Sequence, residues 1–349
     1  WANLASHNAG VTVVIVGISK HAGSERRLLT ETVDGSGNAV LEVKAASNIN
    51  AYLVPTENVI VESTSKPISG LYSMTKGNQP TDGGNLLLSK TELNDLGLSY
   101  EQQQRFIRRI YGSAEFIRGL ERYCLWIEDQ HLQEALTIPA ISQRIDGVRE
   151  MRLASTKKAT VDAARTPHLF GELRQTGKEI ITIIPSVSSE NREYLPVGFS
   201  EMQTIVSNLA FALFDAPLWN MAIIASRLHL VWIATVCGKM KTDFRYSNTM
   251  GWNTFPIPLL TEQNKADLTA CAENILLARE AHFPATIADL YDPEKMPENL
   301  RRAHEQNDEV LERIFIGRRF KNDTERLEKL FDLYTKMIAA EKTKSGKKV

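Results

Sequence analysis

The spacing of apolar and polar residues changes character along the chain. Near the start, VTVVIVGI (11–18) is an unbroken apolar run of strand length. RLLTETV and AVLEVK then flank DGSGN, whose turn chemistry predicts a hairpin, so residues 1–66 read as β-rich. KGNQPTDGGN (76–85) has the composition of a loop. From Ser89 the pattern turns helical, with Phe106, Ile110, Phe116, Ile117, Leu120 and Tyr123 recurring at helix spacing. A basic helix is predicted across 143–167, stopping before Pro167, and 181–199 reads as strand interrupted by prolines. Residues 217–238 predict a strongly apolar helix closed by Gly238, with 217–236 expected to lie buried between two domains. Beyond Pro258 three helices are expected, at 262–281, 297–315 and 322–341, followed by a charged tail. No internal repeat is visible. The class is α+β with an all-helical end.

Composition narrows this only slightly. The chain has 349 residues, enough for two or three domains, and 41 Lys plus Arg balance 42 Asp plus Glu. Cys124, Cys237 and Cys271 are odd in number and form no CxxC pair, which argues against a zinc site or a disulfide framework and points to the cytoplasm. No run approaches the ~18 apolar residues of a membrane span. The sequence opens at Trp1 without a signal-peptide pattern and reads as part of a longer protein. It contains no GxxxxGK[ST], HExxH or GxSxG.

Isolated chemical signals are weak. GSGNAV (35–40) lacks the third glycine of a dinucleotide loop and runs into a strand, so a hairpin tip explains it better. Asp34, Glu42 and Lys44 resemble the acid–acid–lysine set of a metal-dependent nuclease, although the gap is short and a solvated hairpin accounts for them better. His229 sits in SRLHLVW on an apolar helix with no second ligand at helical spacing, as a hydrogen-bonded core histidine does.

The placement of charge says more than its total. Residues 141–178 hold eight basic side chains (Arg144, Arg149, Arg152, Lys157, Lys158, Arg165, Arg174, Lys178) against four acids. Residues 226–246 hold Arg227, Lys239, Lys241 and Arg245 against Asp243 alone. Two basic segments in a neutral chain fit a protein that meets phosphates with one face, and equally fit two solvated helix faces. If 239–246 is extended, Lys241 and Asp243 share one side of the strand. A lysine can donate to guanine O6 and N7 while a carboxylate accepts from cytosine N4, so the pair has the chemistry to read one G·C pair. A surface ion pair is the alternative.

Eight ordered blocks complete the reading: NLASHNAGVTVVIVGIS, NINAYL, GNQPTDGGNLLLS, GLERYCLWI, RLASTKKATVDAARTPHLFGE, IIPSVSSENREYLPVGF, GKMKTDFRYSNTMGWNTFPIP and ADLYDPEKMPENLRRAHEQND. They resemble the C-terminal half of MmeI-type (type IIL) restriction-modification enzymes and related N6-adenine DNA methyltransferases, over nearly the whole chain. The resemblance implies closing strands of a methyltransferase domain at 1–66, a target recognition domain at 67–258 and a helical C-terminal domain at 259–349. The family's FxGxG-like cofactor loop and NPPY/F tetrapeptide have no counterpart here. S-adenosylmethionine, the methyltransferase domain and any nuclease domain are therefore expected in the upstream part of a longer parent, with no catalytic residue, cofactor or metal in this chain.

Double-stranded DNA is the partner implied, and no membrane. The resemblance makes Lys241 and Asp243 base-reading residues, packed onto the domain through Phe244, Tyr246 and Trp252. The polar segment SSENREY adds Arg192 and Glu190 as base-reading candidates, while Lys157, Lys158 and Arg245 are phosphate candidates. Two other functions stand beside this one: a metal-dependent nuclease using Asp34, Glu42 and Lys44, and a helical protein-interaction scaffold with an incidental basic face.

Overall fold

The computed structural model describes residues 2–4, 10–12, 15–18, 20, 26–33, 38–200 and 203–346. The hairpin of strands Arg26–Val33 and Ala39–Ala46 forms as expected, in antiparallel register from Arg26↔Ala46 to Val33↔Ala39. Of the apolar run at 11–18, strand extends over Gly10–Thr12, and residues 15–18 carry no regular structure.

Two four-stranded sheets organise the chain between Thr75 and Phe214. In one, Ile181–Pro185 lies between Gly198–Ser200 and Ala210–Phe214, with Thr75–Lys76 at the edge, all antiparallel. In the other, Ile107–Tyr111 pairs parallel with Thr204–Val206 and antiparallel with Tyr123–Leu125, which carries Leu87–Leu88. The chain crosses between the sheets at Ser207–Leu209. Gly77 packs tightly against this crossing: a Cβ there would lie 2.3 Å from the Val206 carbonyl oxygen and 2.5 Å from that of Ser207. Asn78, fully buried, donates from Nδ2 to the Val206 carbonyl at 2.8 Å and to Gln175 Oε1 at 2.9 Å.

The second sheet overturns the helical reading of 89–123. Residues 107–111 and 123–125 are strands, and only Lys90–Asp95, Tyr100–Phe106 and Ser113–Arg118 are helical there. The parallel partner of 107–111, at 204–206, lies far along the chain, so non-local pairing overrides the local spacing. The basic helix is also shorter than expected. It runs Pro139–Leu153, and the chain breaks before a short helix Lys158–Asp162.

The apolar segment is two helices, Trp219–Ile224 and Arg227–Val236, because Ser226 caps the second by accepting the His229 N–H. Leu228 and Trp232 are fully buried there, each worth roughly 1.5–3 kcal/mol as a side chain removed from water. The C-terminal helices Glu262–Glu280, Glu298–Ile316 and Asp323–Gly346 match expectation and close over this pair. The largest core joins Ile184 and Phe211 of the first sheet to Trp232, Leu268, Leu311 and Phe331. Val54 and Val61, which the sequence assigns to the segment before the recognition domain, are buried in this same core. A second core, with Leu86, Phe106, Leu125, Ile141 and Ile145, sits beneath the second sheet.

Candidate nucleic-acid interface

Past Cys237 and Gly238 the chain forms a small hairpin, Lys239–Met240 with Asp243–Arg245, in register Lys239↔Phe244 and Met240↔Asp243. This corrects the expectation of an extended 239–246. The chain reverses at Lys241-Thr242, so alternation does not decide which way Lys241 and Asp243 face. Both instead lie at the closed end of the ribbon. Lys241 has φ 58°, the left-handed value that the first position of a II′ turn requires. A non-glycine residue there costs of order 1–2 kcal/mol, so the packing around the hairpin must hold the turn. Its side chain is exposed, whereas Asp243 is half-buried.

That packing is explicit. Asp243–Arg245 pairs on its other edge with Val187–Ser188, completing a three-stranded sheet in register Val187↔Arg245 and Ser188↔Phe244. The Tyr246 N–H donates to the Ser186 carbonyl at 2.9 Å. The Tyr246 hydroxyl meets His229 Nε2 at 2.9 Å, and the Trp252 indole N–H donates to the Tyr72 carbonyl at 2.7 Å. Burial lowers His229 to about 3, so the imidazole stays neutral and serves as a core partner. Tyr246 and Trp252 are buried and Phe244 is half-buried, which ties the ribbon to the apolar helices.

Glu190 and Arg192, expected to reach bases, are engaged within the protein. Glu190 Oε2 lies 3.5 Å from Lys239 Nζ, on the first hairpin strand. Arg192 is half-buried and donates from a terminal guanidinium nitrogen to Ser188 Oγ at 3.2 Å. Burial lowers its pKa, opposed by the nearby carboxylates of Asp243 and Asp292. Sequence reading counted Lys239 only as one cation among four. The partnership with Glu190 crosses the sheet and leaves no local signal.

The basic segments divide once folded. Arg152 is fully buried and donates to five carbonyls, those of Pro80, Thr81, Ala163, Thr166 and Leu169, at 2.8–3.1 Å. Arg144 binds Glu92 at 2.9 Å, Arg149 binds Asp146 at 3.1 Å and Arg174 binds Glu172 at 2.6 Å. Arg227 is held by Asp323. Arg152, Arg144 and Arg227 are thus ties within the fold, whereas Arg149 and Arg174 sit in exposed surface pairs with a neighbouring acid. Among the described residues, Lys157, Lys158, Arg165, Lys178, Lys241 and Arg245 are exposed and make no ion pair. They are the cations of these two segments left to meet an outside anion.

The nuclease set does not come together in the described part. Asp34 lies outside the described residues, Glu42 is exposed, and Lys44 pairs with Glu328 of the last helix. Among the described residues no three His, Cys, Asp or Glu side chains cluster as metal ligands, and no helix is long and apolar enough to cross a membrane.

The fold and the site define a mixed-sheet domain that presents a braced, charged hairpin and is followed by a helical cap. The family comparison places it. Residues 55–259 match the model of the MmeI target recognition domain and 260–340 that of the MmeI C-terminal domain, so the chain belongs to the MmeI family. It is 40% identical over 341 residues to DNA methyltransferase A of Bacillus subtilis (strain 168), covering 97% of this chain and 37% of that protein. It also resembles the solved structure of the type IIL restriction-modification enzyme MmeI in complex with DNA. There the TM-score is 0.81 at 33% identity, over 97% of this chain and 45% of that one. The chain thus spans less than half the length of these relatives.

Proposed function

We propose that this chain is the sequence-reading part of a site-specific DNA methyltransferase or restriction-modification enzyme, acting on double-stranded DNA. The observation that carries the reading is the braced hairpin Lys239–Arg245, with Lys241 exposed at its turn and Asp243 beside it, in a chain of the MmeI target recognition family. A two-stranded ribbon fits the major groove, roughly 12 Å wide. Lys241 there donates to guanine O6 and N7, and Asp243 accepts from cytosine N4. Lys157, Lys158 and Arg245 hold phosphates, which fixes register without reading sequence.

The chemistry belongs to the longer parent. By the resemblance, S-adenosylmethionine and the catalytic residues of adenine-N6 methylation lie in the upstream part of the methyltransferase domain whose closing strands are residues 1–66, and the parent works in the cytoplasm. These residues carry neither the cofactor loop nor the tetrapeptide, and no methyl-transfer step is assigned to them.

A mobility-shift titration of the chain with duplexes of mixed sequence across a salt series tests the reading. Binding that weakens steeply with salt is expected. No binding at the lowest salt would favour an interaction scaffold, and Mg²⁺-dependent cutting would favour a nuclease.

A further inference from the structure

We infer that Glu190 and Arg192 are positioning residues, one for each strand of the reading hairpin, rather than readers of bases. The inference rests on the proposed reading of a base pair by Lys241 and Asp243. The geometry points to it from both ends of the loop that carries them. At its start, Ser188 is buried and paired in register with Phe244, the residue after Asp243. Arg192 bonds back to Ser188 Oγ at 3.2 Å, which places its guanidinium beside the second hairpin strand. Glu190 reaches past to the first strand, 3.5 Å from Lys239 Nζ, and Lys239 lies over the Phe244 ring at 5.8 Å.

At its end the same loop is locked to the helical domain. Glu193 pairs with Arg301, and its carbonyl accepts from Arg227 at 3.3 Å. Tyr194 stacks on His304 with ring centroids 4.2 Å apart. The loop therefore has one fixed end and presents one acid and one base to the ribbon. A guanidinium already bonded to Ser188, with the Asp243 carboxylate near enough to favour its charge, is poorly placed to leave for a base. A glutamate on Lys239 holds the strand leading into the Lys241 turn. The helical domain, by this route, sets how the reading residues are presented.

The contact between Glu190 and Lys239 is half-exposed and adds little to stability. Its effect is on order at the ribbon, which discrimination senses and melting does not. A reader contact gives roughly 5- to 150-fold discrimination, and losing its support lowers that ratio towards the one that Asp243→Asn leaves.

The test selects duplexes with a randomised central segment on the intact chain and on Arg192→Gln, Arg192→Lys, Glu190→Gln, Asp243→Asn and the double variant Arg192→Gln/Asp243→Asn, then sequences the bound pool. Affinity for mixed-sequence duplex serves as the measure of intact folding. Arg192→Gln and Glu190→Gln should blur preference at the single base pair that Asp243→Asn blurs. Arg192→Lys should keep part of it, and the double variant should be no worse than Asp243→Asn. Loss of preference at a different base pair, additive with Asp243→Asn, would make Arg192 a reader and overturn the inference. If Asp243→Asn itself leaves every preference unchanged, the hairpin does not read bases, and the inference falls with that reading.

Discussion

Asp308 offers a pH experiment on the seam between the recognition domain and the helical cap. Its carboxylate is 4% exposed and accepts the Arg227 N–H at 2.7 Å, where the apolar helix Arg227–Val236 begins. Burial is the main cause that pushes it from an ordinary 3.8 up to about 7; Glu312 adds to this, and the bonds from Arg227 and Tyr194 and the charge of Arg326 oppose it. A carboxyl raised in the folded state binds its proton more tightly folded than unfolded. Its contribution is fully present below the unfolded value and is lost as pH rises through about 7.

Asp308→Asn removes this titration while keeping the shape. The amide oxygen still accepts from Arg227, and the amide nitrogen can donate to the Tyr194 hydroxyl. At 1.36 kcal/mol per pH unit, the advantage of the variant over the parent sequence should grow by about 2–3 kcal/mol between about pH 5 and about pH 8. Glu312, His304 and Arg326 are present in both proteins, so their own titrations largely cancel in the difference. Urea midpoints followed by tryptophan fluorescence across that range give the number. A difference that stays constant with pH, or a variant that loses ground as pH rises, would refute the argument.

Individual contacts elsewhere set further expectations. Arg152→Met leaves a cavity-filling guanidinium's five carbonyl partners without their donor and should cost about 3–5 kcal/mol, seen as a large fall in melting temperature; a shift under about 2 °C would contradict the role as an internal tie. Gly77→Ala forces a Cβ against the Val206 and Ser207 carbonyls and should destabilise by about 1–3 kcal/mol in urea unfolding, whereas unchanged stability would mean the crossing at 207–209 yields easily. Lys157→Ala with Lys158→Ala should lower the salt slope of duplex binding by ~1 per lost contact while leaving base preference intact; an unchanged slope would return both lysines to the solvated surface.

The C-terminal helices were legible in the sequence to within a few residues, and two of them begin right after the Thr261 cap and after Pro297. The sequence announced the hairpin at 26–46 through DGSGN. It did not reveal that Ile107–Tyr111 is a strand, because Thr204–Val206, its parallel partner, lies nearly a hundred positions away. Ser226 splits the apolar segment as an N-cap, a signal that hydrophobicity on both sides concealed. The turn at Lys241-Thr242 has none of the Gly, Asn or Pro that betray a reversal; the pairing of 243–245 with 187–188 makes it instead. Of the candidate site, the residue types were legible and the arrangement was not. Charge counts cannot separate Arg152, which ties five carbonyls inside the fold, from Lys157, which faces solvent.

The central claim is that Lys241 and Asp243 read one G·C pair, and the most direct measurement is the base preference of a charge-reversed hairpin. Duplexes with a randomised central segment would be selected on the intact chain and on Lys241→Glu/Asp243→Arg, and the bound pools sequenced. The original chain should show one base pair with guanine facing Lys241, discriminated by ~1–3 kcal/mol. In the double variant the new arginine addresses guanine on the opposite strand and the new glutamate faces cytosine. Preference at that pair should switch from G to C, with every other position unchanged. A double variant that still binds and selects the original base pair would contradict the account, leaving the hairpin a scaffold rather than a reader.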